Sequence, residues 1–101
     1  MTHVEIKNEE MTPTDKTQFL IACGRSLEKV TASAPSDSLV TMVVDYDGDD
    51  YFVSFDLISG DLSFTAVGTA RSPFVALEKA NKDSMDRISK WTLSRKIETA
   101  S

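Results

Sequence analysis

The sequence has a single cysteine, Cys23, and a single histidine, His3. No internal disulfide can form, and a zinc site of the usual nitrogen and sulfur donors lacks its ligands. The lone thiol fits a reducing compartment, so a cytoplasmic location is expected. Cys23 falls on an apolar helical stripe, where cysteine serves as a small hydrophobe. It could act as a nucleophile only with a histidine beside it, and His3 belongs to a strand next to the terminus. No apolar run approaches the ~18 residues that span a bilayer. The opening Met1-Thr2-His3-Val4-Glu5 has no basic segment followed by an apolar one, so no secretory signal is expected. Glycine is also sparse. Gly68-Thr69-Ala70-Arg71-Ser72 holds one glycine and lacks the Lys-Ser/Thr ending of a phosphate loop. No repeat or low-complexity block appears. These absences nominate no catalytic residue, no cofactor and no metal. We read the protein as a non-enzyme that works by binding.

What is present suits one small domain. The 101 residues are 41% hydrophobic and 27% charged, enough for one modest core that every regular element must share. We expect a single domain over residues 1–101, with residues 3–96 as its ordered core and residues 1–2 and 97–101 as frayed ends. Residues 3–7, His-Val-Glu-Ile-Lys, alternate as a first strand would. Thr12 then caps a helix, with Pro13 at its first position and Asp15 at its third. Phe19, Leu20, Cys23, Leu27 and Val30 recur at spacings of three and four. Residues 31–38 read as a linker, with Pro35 blocking helical continuation.

Three alternating strands follow. Val40, Met42, Val44 and Tyr46 share one face of the first, and Tyr51, Val53, Phe55 and Leu57 one face of the second. Asp47-Gly48 between them predicts a tight hairpin with both central residues at positive φ. Ser59-Gly60-Asp61 makes a second turn, and Leu62, Phe64 and Ala66 point inward beyond it. Ser72-Pro73 opens a final helix whose apolar stripe is Phe74, Leu77, Ala80, Met85, Ile88 and Trp91. The predicted class is α+β, ordered β-α-β-β-β-α, a mostly antiparallel sheet with two helices packed on one face. The other face carries Thr41, Val43, Phe52, Ser54, Asp56, Ser63, Thr65 and Val67, mixed enough to be solvated.

Charge is segregated. Residues 31–70 contain no lysine or arginine and seven aspartates: Asp37, Asp45, Asp47, Asp49, Asp50, Asp56 and Asp61. Residues 71–96 carry seven bases against three acids, an excess of four positive charges inside a chain of formal net charge −5. The first helix adds Lys16, Arg25 and Lys29. The aspartates around Gly48 invite a calcium reading, but an EF-hand loop wants glycine sixth and glutamate twelfth. Counting from Asp45, Gly48 stands fourth and Asp56 twelfth, so a hairpin of solvated carboxylates is the better reading. On the last helix, Lys79–Asp83, Lys82–Asp86, Asp83–Arg87 and Asp86–Lys90 are four apart and could pair along a solvated face. The same bases could instead meet phosphates.

Element order and local patterns resemble the ribosome hibernation-promoting factor family. The resemblance runs from His3 to about Lys96. It is carried by His3-Val4-Glu5-Ile6-Lys7, by a helix ending Leu27-Glu28-Lys29, and by Leu39-Val40-Thr41-Met42-Val43-Val44. Gly60-Asp61-Leu62, Ala66-Val67-Gly68 and Phe74-Val75-Ala76-Leu77 continue it. It implies a small protein that binds the small ribosomal subunit and regulates translation, with Lys29, Lys79, Lys82, Arg87 and Lys90 in the positions of the RNA-facing bases. The chain departs from the family in its thinner basic cover, its overall acidity and a longer segment between Gly68 and Phe74. The double-stranded RNA-binding domain shares the α-β-β-β-α core, but Pro73 and Phe74 stand where its helix-start lysines meet phosphates.

Three binding functions follow. One is an RNA- or ribosome-associated regulator using the basic helical layer. Another is an acidic protein-binding module or inhibitor whose Asp45, Asp47, Asp49 and Asp50 dock on a basic partner surface. A third is an oligomerising domain that uses the mixed sheet face.

Overall fold

The structure, a computed structural model, describes residues 2–6 and 13–100, and side chains from 16 to 94. Thr12 and Lys7 lie outside the described residues, as do the side chains of His3, Asp15, Arg95 and Lys96. The order is β1 (Thr2–Ile6), α1 (Pro13–Ser33), β2 (Leu39–Tyr46), β3 (Tyr51–Ile58), β4 (Ser63–Ala70) and α2 (Pro73–Ala100). One sheet runs β1-β2-β3-β4. β1 pairs parallel with β2 through the α1 crossover, and the other two pairings are antiparallel. Both helices cover the same face, as the two amphipathic stripes require.

Period-two alternation sets that face. Register aligns Val40, Leu57 and Phe64 in one row, Met42, Phe55 and Ala66 in the next, then Val44, Val53 and Gly68. These rows meet Phe19, Cys23, Leu27 and Val30 of α1 and Ala76, Leu77, Ala80 and Ile88 of α2. Each large side chain so buried contributes about 1.5–3 kcal/mol. Between the helices, the buried Phe19 ring meets Phe74 edge-on, with centroids 5.6 Å apart at 88°. Leu20, expected in the stripe, is exposed.

The α2 stripe is centred elsewhere than its large residues suggest. Ala76, Ala80 and Ser84 are fully buried, while Met85 and Trp91 are half-buried and Phe74 lies at the margin. Small residues occupy the centre because α2 lies almost against β4. A Cβ placed on Gly68 would fall 2.1 Å from the Ala76 carbonyl oxygen and 2.6 Å from the Ala80 nitrogen. Gly68 therefore fixes how closely helix and sheet approach.

Two boundaries and one turn differ from expectation. α1 continues to Ser33, and the Ala34 N–H still reaches the Val30 carbonyl before Pro35 ends the run. β4 starts at Ser63 and runs to Ala70, since Leu62 is held in the turn by the Ser59 hydroxyl. In the β2–β3 hairpin the central residues are Gly48 and Asp49. Gly48 has φ +103° and no other described residue has positive φ. The Asp47 carboxylate takes the Asp49 and Asp50 N–H groups at 2.9 and 2.8 Å, an Asx-type turn that needs left-handed backbone at one residue only.

Candidate functional site

The five bases singled out in the sequence are all exposed, on two elements. α2 places Lys79, Arg87 and Lys90 on its flank toward β4. The Lys79 ammonium donates to the Thr69 carbonyl at 3.1 Å. The Arg87 Nε donates to Asp83 at 3.2 Å, and its guanidinium carbon lies 5.8 Å from the Phe64 ring centre. Of the four possible pairs along α2, Asp83–Arg87 is the one formed among the described residues. Lys82 and Lys90 show no ion pair or hydrogen bond there, and neither does Lys29. Two lysines of α2 thus remain available to an anion, where a fully paired face would leave none.

Lys29 belongs to a different neighbourhood. α1 and α2 leave a groove of about 410 Å³ between them, lined by Ile21, Ala22 and Arg25 on one side and Phe74, Leu77 and Glu78 on the other. Arg25 lines this groove, and Lys29 lies one turn beyond it on α1. The bases therefore do not share one patch: Lys79, Arg87 and Lys90 stand beside β4, Lys82 lies on the outer face of α2, and Lys29 is on α1.

The acidic residues are less concentrated than the strand order suggests. Asp45, Asp47, Asp49 and Asp50 share the β2–β3 hairpin. Asp37 and Asp61 lie at the opposite end of the sheet, where the Asp37 carboxylate takes the Gly60 N–H at 3.0 Å. Asp56 sits mid-sheet on the open face and accepts the Thr65 hydroxyl. Within the hairpin two of the four carboxylates, those of Asp45 and Asp47, accept backbone N–H groups. Asp47 holds the turn, and the N–H groups of Asp50 and Asp49 lower its pKa. Asp45 takes the Tyr46 N–H. The Tyr46 and Tyr51 rings stack 4.5 Å apart, and the Tyr46 hydroxyl donates to the Gly48 carbonyl, which stiffens the tip. Among the described residues no three acidic, histidine or cysteine side chains converge as a metal would need. Cys23 is buried, and desolvation pushes its pKa up to about 12. Among these residues, no helix is long and apolar enough to cross a membrane.

No family model matches the sequence, and no curated protein does. Solved structures do match in shape. One is a ribosomal subunit interface protein from Coxiella burnetii, with TM-score 0.67 at 8% identity, covering 92% of this chain and 99% of that one. Another is the Protein Y N-terminal domain from Thermus thermophilus, with TM-score 0.67 at 9% identity, covering 88% and 94%. The expected β-α-β-β-β-α architecture stands, and the likeness to these two structures is one of fold. In fold, then, this chain is similar over most of its length to a ribosomal subunit interface protein.

Proposed function

We propose that this chain is a non-catalytic, cytoplasmic, ribosome-associated regulator that meets RNA of the small subunit through its helical layer. Lys29, Lys82 and Lys90 would contact phosphates directly, with Lys79 and Arg87 adding to the field. The observation that carries this reading is the coincidence of two facts. The chain shares its fold, over 92% of its length, with a ribosomal subunit interface protein. Its exposed helices also keep Lys29, Lys82 and Lys90 without carboxylate partners among the described residues, inside a chain of net charge −5. An acidic protein that binds polyanions must do so through a local surface, because its overall field repels them.

Co-sedimentation with ribosomes tests this, at low and at high salt. Phosphate contacts release counterions, so capture should fall steeply as salt rises. Lys82→Glu with Lys90→Glu should abolish it, whereas Asp45→Lys with Asp49→Lys should leave it intact. The hairpin pair avoids Asp47, whose loss would disturb the turn. Loss of capture only in the hairpin variant would overturn the RNA reading in favour of an acidic module docked on a basic protein surface.

A further inference from the structure

Beside β4, the C-terminal half of α2 leaves a second open groove of about 580 Å³, within the roughly 300–1,000 Å³ of small-molecule sites. Phe64 and Trp91 line it together with Asp86, Arg87 and Lys90. The α2 stripe makes Trp91 a core anchor by sequence, yet it and Phe64 are only half-buried and both border this groove. Phe64 packs partly against the core from the Val40–Leu57 row, which leaves the rest of it at the groove. Arg87 is held in place by Asp83 with its guanidinium toward the Phe64 ring, and Lys90 stands at the rim without a partner among the described residues. Aromatic walls, a fixed guanidinium and an available ammonium form the combination that holds single-stranded nucleic acid: ring faces stack a base while cations take the backbone. Asp86 adds an acceptor for a base amino group.

The geometry points to this groove as a seat for one unstacked nucleotide of single-stranded RNA, its base against Phe64 and Trp91 and its phosphate at Lys90. This rests on the RNA reading above and adds to it a site on the opposite flank of α2 from the helix–helix groove. Duplex RNA would not fit the role, because its bases are stacked inward.

Trp91 is the only tryptophan in the chain, so its emission reports on the groove alone. The full chain is titrated with single-stranded RNA homo-octamers, with inorganic polyphosphate and with polylysine. Saturable quenching by at least one octamer and none by polyphosphate is expected. Phe64→Leu and Lys90→Glu should each weaken octamer binding about fivefold or more, the low end for losing a base–aromatic stack. Circular dichroism checks that each variant is folded. Lys90 is at the surface, so its variant remains informative if Phe64→Leu fails to fold. Absence of quenching by RNA, equal quenching by polyphosphate, or octamer affinity unchanged in Lys90→Glu would each overturn the proposal. Quenching by polylysine instead of RNA would mean that the groove takes a basic protein segment, and would also overturn it. Ribosome co-sedimentation run in parallel separates the two ideas. Capture without quenching removes the groove and keeps the ribosome reading, whereas quenching without capture does the reverse.

Discussion

Replacing Gly68 by alanine adds one methyl group at the tightest point between sheet and helix. Built on the existing backbone, that carbon would stand 2.1 Å from the Ala76 oxygen, 2.6 Å from the Ala80 nitrogen and 2.9 Å from the Lys79 Cβ. Two of these three are backbone atoms of a regular helix, so no side chain can swing away to make room. α2 must instead move off β4 by about an ångström, opening the rows that Ala76, Ala80 and Ser84 now fill. Overpacking of this kind costs about 1–3 kcal/mol, occasionally more. Alanine gains back roughly 0.4–1 kcal/mol by restricting the unfolded chain. A net loss of about 1–2 kcal/mol should lower Tm by roughly 4–16 °C in a domain of this size. Gly24 is the internal control. It lies in α1, and a methyl group there would meet nothing within 4 Å, so Gly24→Ala should stabilise by about 0.5–1 kcal/mol. Thermal and urea unfolding followed by circular dichroism measures both. A Gly68→Ala protein as stable as the parent would refute the close approach of α2 to β4, and with it the account of why small residues centre the helix.

Three further outcomes follow from the same packing. Ser84 is fully buried with no partner for its hydroxyl, so Ser84→Ala should leave stability unchanged or raise it by up to about 1 kcal/mol in urea unfolding. The Cys23 thiol, raised to about 12, should resist iodoacetamide at pH 8 in the folded protein and react once urea unfolds it. Asp47 has its pKa lowered in the folded state, so its contribution to the hairpin is present above the unfolded pKa and fades as pH falls through the folded one. Carboxyl NMR should show it titrating below its ordinary value, and Asp47→Ala should disturb the amide shifts of Asp49 and Asp50 more than Asp47→Asn does.

The strands were legible because large apolar residues recur at every second position of each, and period two fixes both the face and the register partners once one hairpin closes. Helix existence was equally plain. The centre of α2 was not, because hydropathy favours Met85 and Trp91 over Ala76 and Ser84. Only the need for close approach at Gly68 makes the small residues the buried ones, and that is a property of two elements together. The hairpin was placed correctly while its central residues were off by one, since a side-chain turn by Asp47 competes with a backbone turn and both favour the same residue types. Charge counts showed that bases accumulate after residue 70. They could not show that Asp83 would engage Arg87 and leave Lys82 and Lys90 without such a partner, because each i,i+4 choice depends on side-chain rotamers. Nor could they show that Lys29 would stand apart from the β4 flank, which is set by how α1 and α2 pack.

The most direct test of the central claim is a contact map made inside the complex. A photo-crosslinking residue is placed at position 82, 90 or 49 in turn, the protein is bound to ribosomes, and the cross-linked partner is identified after irradiation. Positions 82 and 90 should attach to ribosomal RNA, and position 49 should attach to nothing or to RNA far less. Efficient attachment of position 49 to a protein, with 82 and 90 silent, would contradict the account.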